Sequence, residues 1–175
     1  LLSWQLSALN TAGISKTVVV RGYGKEHLIG GEYSVVDNER WAQTNMVSTL
    51  ICAGEILKEG AVVSYTDIVY HPTIVESLLN NNADIAITYD RLWLDLWSSR
   101  FDNPLEDAET FNAINDQVTT IGDRPDSIEQ IKGQFMGLIK FSPRGWRQTE
   151  NFLQNLPHPE VDQLDMTELL NRLIQ

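Results

Sequence analysis

Stretches typical of strands and of helices alternate along the first 90 residues, and this alternation constrains the fold more than any other feature. The predicted helices carry apolar residues at helical spacing and span residues 2–12, 46–57 and 72–79. The predicted strands are short, mostly β-branched runs at residues 17–20, 33–36, 61–65 and 84–88. Because strands that alternate with helices usually form a parallel sheet covered on both faces, we predict a Rossmann-like, three-layer α/β fold with a mostly parallel central sheet.

The pattern changes after residue 90. Residues 109–121, with Asn115 and Asp116 at their middle, are typical of a β-hairpin, and residues 133–141 predict another strand. Two helices, near residues 143–156 and 165–174, finish the chain. We therefore predict one domain over residues 1–175, in which an antiparallel insertion follows the α/β part.

The charge and the single cysteine exclude several classes of protein. Thirteen Lys and Arg stand against 24 Asp and Glu, a net charge of -11, so binding to a nucleic acid is not expected. Cys52 lies in an apolar stretch, which favours a buried thiol over a nucleophile and fits a reducing, cytoplasmic location. No apolar run approaches the length of a membrane span, so membrane insertion is not expected either.

Asp67 directly follows the predicted strand that ends at Tyr65. In open α/β sheets ligands bind at the carboxyl edge, and an acid at that edge can hold Mg²⁺, which prefers one or two carboxylates together with phosphates and water. The alternative is an Asp that makes a turn or caps the helix that begins near Pro72. The local pattern leaves both interpretations open.

Eight segments, in this order and spacing, carry a resemblance to a known family. They are residues 1–14, 18–23, 38–50, 64–68, 90–93, 100–111, 133–137 and 164–167. Together they resemble the sugar-phosphate nucleotidyltransferases of the pyrophosphorylase type, in a bacterial subgroup close to the choline-phosphate and aminoethylphosphonate cytidylyltransferases. Each segment is weak alone, but their ordered sequence is specific and covers essentially the whole chain.

The resemblance implies roles for particular residues. Asp67 would bind the Mg²⁺ that bridges the nucleotide α-phosphate and the acceptor phosphate, and Tyr65 would contact the nucleotide. Thr44, Asn45 and Ser48 stand where the family meets base and ribose, at a predicted helix N-terminus whose free amides favour anions. The alternative for Asn45 is a plain helix N-cap.

Four further residues are candidates for the acceptor site. Asp90 follows a predicted strand and could either bind a ligand or make a simple turn. Trp93 and Trp97 are four apart and share a face if they are helical, so they are either core residues or a cation–π wall for an ammonium-bearing substrate. Arg100 could bind the acceptor's phosphate or phosphonate, or could pair with Asp102, Asp107 and Glu109.

Two parts of the family pattern are not found. A Gly-rich loop with the Arg and Lys that clamp the triphosphate would precede Leu1, and a second metal-binding Asp would follow Gln175. We therefore expect a chain that is truncated at both ends.

The leading hypothesis is a Mg²⁺-dependent cytidylyltransferase whose product serves cell-surface polysaccharide or lipid head-group assembly. Its ligands would be a nucleoside triphosphate, with CTP favoured, and a small phosphorylated or phosphonate acceptor; a homodimer is left open. The alternatives are a sugar-1-phosphate nucleotidyltransferase and a non-catalytic nucleotide-binding or regulatory domain. A metal-dependent glycosyltransferase fits less well, because the Asp-x-Asp motif common there is represented by one acid only, Asp67.

Overall fold

The computed structural model describes residues 1–175. Strands and helices alternate through its first 90 residues, as the sequence predicts. The helices are α1 (Leu2–Thr11), α2 (Met46–Ile51), α3 (Gly54–Leu57), α4 (Pro72–Asn80), α5 (Trp93–Arg100), α6 (Pro143–Gln154), α7 (His158–Gln163) and α8 (Met166–Ile174). The strands are β1 (Val18–Arg21), β2 (Ser34–Asp37), β3 (Ala61–Ser64), β4 (Ile85–Asp90), β5 (Phe111–Ile114), β6 (Gln117–Ile121) and β7 (Gln134–Phe141). None of the helices combines the length and the apolar character that crossing a bilayer requires.

The chain divides into two structural units. The first unit contains Leu1–Ile87 and Gly137–Asp165, and the second contains Thr88–Met136 and Met166–Gln175. Each unit is therefore made from two separate stretches of sequence. The prediction of one domain over the whole chain stays a prediction.

The sheets are smaller than the sequence predicts. Strands β1 and β2 pair in parallel, whereas β3 pairs antiparallel with β7, in a three-stranded sheet of order β3-β7-β4. The α/β class is confirmed, but the pairing of β3 with β7 departs from the mostly parallel arrangement that the sequence predicts. About 70 residues separate β3 from β7 in the sequence. The alternation of short strands and helices does not determine whether a strand so distant in sequence pairs parallel or antiparallel.

The core of the first unit lies where α1 and α4 meet the three-stranded sheet. Leu9, Val75, Leu78, Ala86 and Leu138 form its buried centre. Pro72 occupies the first turn of α4, where the missing N–H of proline costs nothing, as the sequence predicts. These contacts fix α1 against the sheet. The position of α1 is important because its residue Gln5 forms hydrogen bonds with the turn that contains Asp67.

Two helical features differ from the prediction. The helix predicted over residues 46–57 is broken at Cys52 and Ala53, immediately before Gly54, a residue of poor helix propensity that packs against the indole of Trp146. Helix α7 is not predicted, because six residues are too few for a periodic pattern and prolines 157 and 159 resemble a loop.

The hairpin predicted in the second unit is confirmed. Strands β5 and β6 pair antiparallel around Asn115 and Asp116, which have φ values of 50° and 61°. Two consecutive residues with positive φ form the tight turn whose twist matches that of a hairpin, and Asn and Asp tolerate this conformation best after glycine. Helix α8 packs against β6 and completes the unit.

Candidate functional site

Asp67 lies in a turn three residues after β3 ends at Ser64. Its side chain is exposed and makes no hydrogen bond or ion pair with the rest of the chain. The predicted location at the end of a strand is therefore confirmed. The carboxylate is not used to cap α4, because the side chain of His71 performs that function.

The turn that contains Asp67 is held at both ends by the side chain of Gln5. The Gln5 amide nitrogen Nε2 donates hydrogen bonds to the carbonyl oxygens of Tyr65 and Ile68, each at 2.7 Å. Gln5 is only 4% exposed. The sequence analysis does not select it, although a signal exists: Gln5 lies three and four residues before the buried Ala8 and Leu9, on the apolar face of α1.

Tyr65 is fixed by a close contact with Gly137. The Tyr65 amide donates to the Gly137 carbonyl at 2.8 Å, and a Cβ atom added to Gly137 would lie 2.6 Å from the aromatic ring. Since Gly137 also has a φ of 75°, no other residue fits here without strain. The Tyr65 hydroxyl lies 2.9 Å from the sulfur of Met46, which places Tyr65 next to the start of α2.

The start of α2 has the N-cap that was the alternative interpretation of Asn45. The Asn45 Oδ1 accepts from the Met46 amide at 2.8 Å, and its Nδ2 donates to the Gln163 carbonyl at 3.1 Å. The Val47 amide donates to the Leu164 carbonyl at 3.4 Å. The amides of Met46 and Val47, which the prediction assigned to an anion, thus already have partners in Asn45 and Leu164. Nucleotide contact by Asn45 stays a prediction.

Thr44 and Ser48 also have partners within the chain. The Thr44 hydroxyl accepts from the Asn38 side chain and donates to the Arg40 carbonyl, both at 3.1 Å. The Ser48 hydroxyl donates to the Asp162 carboxylate at 3.2 Å. A contact with a nucleotide would have to be made in addition to these bonds or in place of them.

Asp162 connects the start of α2 to α7. Its carboxylate accepts from both the Arg40 guanidinium and the Ser48 hydroxyl, and the side chain is 16% exposed. The Arg40 guanidinium, and to a smaller extent the Ser48 hydroxyl, hold the pKa of Asp162 below its usual value. The bonds therefore favour the ionised form in the folded state.

We expect the Asp162→Asn variant to be less stable than the wild type near neutral pH and equally stable in acid. A carboxyl whose folded pKa is lowered contributes stability above its unfolded pKa, about 3.9, and loses this contribution as pH falls through the folded value. Melting temperatures from pH 7 to pH 2.5 measure the effect, with Glu76→Gln, an exposed carboxylate on α4, as the control. A difference that persists undiminished at pH 2.5 would contradict the assignment.

In the second unit, Asp90 is the last residue of β4 and makes a turn. Its Oδ1 accepts from the Leu92 amide at 2.7 Å. Such a turn is the alternative to ligand binding that the sequence analysis gives. The other carboxylate oxygen of Asp90 can still accept a hydrogen bond or bind a cation. Ligand binding by Asp90 stays a prediction.

Trp93 and Trp97 lie on the same face of α5, as expected for a helix. Trp93 is 3% exposed and packs with Ala108 and Ile131, and the Trp97 ring meets it edge to face at 6.1 Å. This burial favours packing over a cation–π wall at Trp93. Core packing and a cation–π wall would both place the two tryptophans four residues apart, so the sequence could not distinguish between these roles.

Arg100, at the end of α5, is exposed and stacks on aromatic rings. Its guanidinium carbon lies 5.6 Å from the centre of the Trp97 ring and 5.4 Å from that of Phe101. It forms no ion pair with the neighbouring acids, which was the alternative interpretation. These cation–π contacts use none of the guanidinium N–H groups, which are therefore available for an anion.

The residues present fit one kind of metal site. No group of three or more His, Cys, Asp and Glu side chains is close enough to hold a metal ion. A cation bound by protein ligands alone is therefore not supported. Asp67 supplies a single exposed carboxylate, and this matches Mg²⁺, which takes one or two carboxylates and completes its shell with substrate phosphates and water.

Comparison with known proteins gives a relative in sequence and many similar structures. No family profile matches the chain. The chain is 32% identical over 192 aligned positions to the CTP:phosphoglutamine cytidylyltransferase of Campylobacter jejuni subsp. jejuni serotype O:2, covering 100% of this chain and 76% of the relative.

Two of the similar structures share the fold at low sequence identity. A protein assigned as a glucose-1-phosphate thymidylyltransferase from Bacillus anthracis has a TM-score of 0.71 at 12% identity, covering 98% of this chain and 69% of that one. The inositol-1-phosphate CTP transferase from T. maritima has a TM-score of 0.70 at 16% identity, covering 99% of this chain and 67% of that one. Both likenesses confirm the predicted fold class.

Proposed function

The chain belongs to the sugar-phosphate nucleotidyltransferase superfamily, near its cytidylyltransferases, and we propose that it transfers CMP from CTP to a small phosphate or phosphonate acceptor. The observation that carries the proposal is the 32% identity, along the whole chain, to a relative named for CTP and a phosphorylated amino acid. The exposed carboxylate of Asp67 supports it, because this reaction needs a group that can hold Mg²⁺ beside the phosphates.

The proposed reaction needs no protein nucleophile. An oxygen of the acceptor phosphate attacks the α-phosphorus of CTP, a new P–O bond forms, the bond to the β-phosphate oxygen breaks, and pyrophosphate leaves with the electron pair. The protein contributes alignment of the two substrates and compensation of their negative charge. Mg²⁺, when bound, would supply positive charge next to the phosphates. The absence of a Ser-His or Cys-His pair among the candidate residues is consistent with this chemistry.

We assign a role to each candidate residue. Asp67 would hold Mg²⁺, since its carboxylate needs no partner to be displaced before it binds. Tyr65 would contact the nucleotide, because Gly137 and Met46 hold its ring near the start of α2. The remaining nucleotide contacts are assigned to Thr44, Asn45 and Ser48, and the acceptor contacts to Asp90, Trp93 and Arg100.

A cytoplasmic location and a role in making activated precursors of surface glycans or lipid head groups are part of the proposal. Burial raises the pKa of the Cys52 thiol, and its Sγ donates to the Ser48 carbonyl at 3.3 Å. Cys52 is half-buried rather than fully buried as the sequence predicts, and its raised pKa favours the protonated, weakly nucleophilic thiol, which is compatible with a reducing compartment.

Nucleotide preference can be tested by the melting temperature of the full-length protein with Mg²⁺ and each nucleoside triphosphate. We expect CTP to raise it most, because a ligand present at 100 times its Kd stabilises the native state by about 2.7 kcal/mol. CMP with Mg²⁺ serves as the control for binding without the β- and γ-phosphates. Equal shifts with CTP, UTP, ATP and GTP, or none, would contradict the proposal.

We expect Arg100→Gln to raise the KM for the acceptor roughly 10-fold or more and to leave the KM for CTP unchanged within about twofold. A hydrogen bond to a charged group contributes about 1.5–3 kcal/mol. Steady-state kinetics with choline phosphate, 2-aminoethylphosphonate and glucose 1-phosphate measure it, with Arg124→Gln, an exposed arginine in a loop, as the control. Equal changes in the two KM values would refute the role of Arg100.

A further inference from the structure

We infer that Gln5 is a positioning residue that sets the direction of the Asp67 carboxylate by clamping the turn that carries it. Gln5 lies on α1, 60 residues away from Tyr65 in sequence, and its amide group donates to both Tyr65 and Ile68. A side-chain amide has two N–H donors, and here both are used on the two residues that flank Thr66 and Asp67. This inference rests on the proposed role of Asp67 in holding Mg²⁺.

The two ends of the turn are not held equally. Tyr65 has further anchors, because its amide bonds to the Gly137 carbonyl and its ring packs against the same glycine. The Ile68 carbonyl accepts a hydrogen bond from Gln5 alone. Removal of the Gln5 amide would therefore leave the Ile68 end without a hydrogen bond, held by the packing of the Ile68 side chain against the core, while the Tyr65 end keeps its bond to Gly137.

The direction of the Asp67 carboxylate depends on the backbone. The side chain has no hydrogen bond or ion pair of its own, so the conformation of the turn, which sets the direction of the Cα–Cβ bond, determines the positions that its oxygens can reach. Gln5 in turn is held rigidly, since Leu9 on the same helix packs into the buried core with Val75 and Leu138. Mg²⁺ demands near-ideal octahedral geometry, so a displaced carboxylate binds it less well.

A purely structural role for Gln5 would also lower stability, so the test needs a matched control. Gln134 provides one: it is 5% exposed, and its Nε2 likewise donates to two backbone carbonyls, those of Glu109 and Gly133, within the second unit. Gln5→Met removes two hydrogen bonds from a buried site, and Gln134→Met removes three, because the Gln134 Oε1 also accepts from the Glu109 amide at 3.2 Å. The control therefore loses at least as many structural bonds as the test variant. Only the first loss is at the Asp67 turn.

The experiment measures the Mg²⁺ concentration for half-maximal pyrophosphate release by the full-length enzyme, at saturating CTP and acceptor. We expect Gln5→Met to raise this concentration fivefold or more and Gln134→Met to leave it within twofold of the wild type, although both melt at lower temperature. If Gln5→Met does not fold, Gln5→Glu, which keeps the shape and loses at least one donor, replaces it with the same expectation.

An unchanged Mg²⁺ requirement in the Gln5 variant, or an equal rise in both glutamine variants, overturns the inference. Asp67→Asn in the same assay separates this failure from failure of the proposed function. If Asp67→Asn inactivates the enzyme while the Gln5 variant responds to Mg²⁺ like the wild type, only the positioning role is lost. If Asp67→Asn keeps the wild-type response to Mg²⁺, the proposed metal site fails as well.

Discussion

Replacing Asp67 by Asn is expected to reduce turnover of the full-length enzyme by roughly 10²- to 10³-fold or more, with almost no change in melting temperature. The substitution keeps the shape of the side chain and removes the negative charge that Mg²⁺ requires, and metal stabilisation of a phosphoryl transition state contributes several kcal/mol. The folded state loses little, because the side chain is exposed and has no partner within the chain.

The measurement is pyrophosphate release with CTP and Mg²⁺, together with the melting temperature of the same preparation. Asp126→Asn makes the same chemical change at another exposed aspartate in a loop and should keep wild-type turnover. Retention of more than about a tenth of the wild-type rate by Asp67→Asn would refute the metal role.

Replacing Trp146 by Ala is expected to lower the free energy of unfolding by about 3–5 kcal/mol, the usual cost of truncating a buried tryptophan. Trp146 on α6 is 1% exposed and meets the Phe141 ring edge to face, with 5.7 Å between ring centres. Gly54, at the start of α3, packs against its indole. The variant would leave a large cavity in the core of the first unit.

Trp146→Phe separates packing from hydrogen bonding. The indole Nε1 is buried without a hydrogen-bond partner, so loss of its N–H removes no bond, and the phenyl ring still packs against Phe141. We expect this variant to lose less than half as much free energy as Trp146→Ala, measured by urea denaturation at pH 7. Equal losses for the two variants would contradict the expectation that a packed aromatic ring at this position accounts for most of the stability.

Elements whose signals are local could be predicted from the sequence, and their pairing could not. Asn115 and Asp116 mark the hairpin because the tight turn itself requires residues that tolerate positive φ. Pro72 and Asn45 mark the starts of helices for similarly local reasons. The antiparallel pairing of β3 with β7 depends on the path of the intervening chain, and nothing in either strand records that path.

The candidate site shows the same division. The position of Asp67 follows from the end of its strand, whereas the clamp by Gln5 joins residues 60 and 63 apart in sequence. The partners of Asn45 are more distant still, since Gln163 lies 118 residues away. An N-cap signal identifies Asn45 correctly, but it cannot tell whether the amides beyond it face a ligand or another part of the chain.

The central claim is that this chain carries a cytidylyltransferase, and ³¹P NMR of a single reaction tests it most directly. The full-length protein is incubated with CTP, Mg²⁺ and one acceptor at a time: choline phosphate, 2-aminoethylphosphonate, glutamine phosphate or glucose 1-phosphate. We predict that one of the first three converts with CTP, in equal amounts, to pyrophosphate and a product with two coupled phosphorus signals. Conversion with glucose 1-phosphate alone would keep the cytidylyl transfer and assign a sugar phosphate as the acceptor. Reaction with another triphosphate in preference to CTP, or with none of the acceptors despite CTP binding, would contradict the claim.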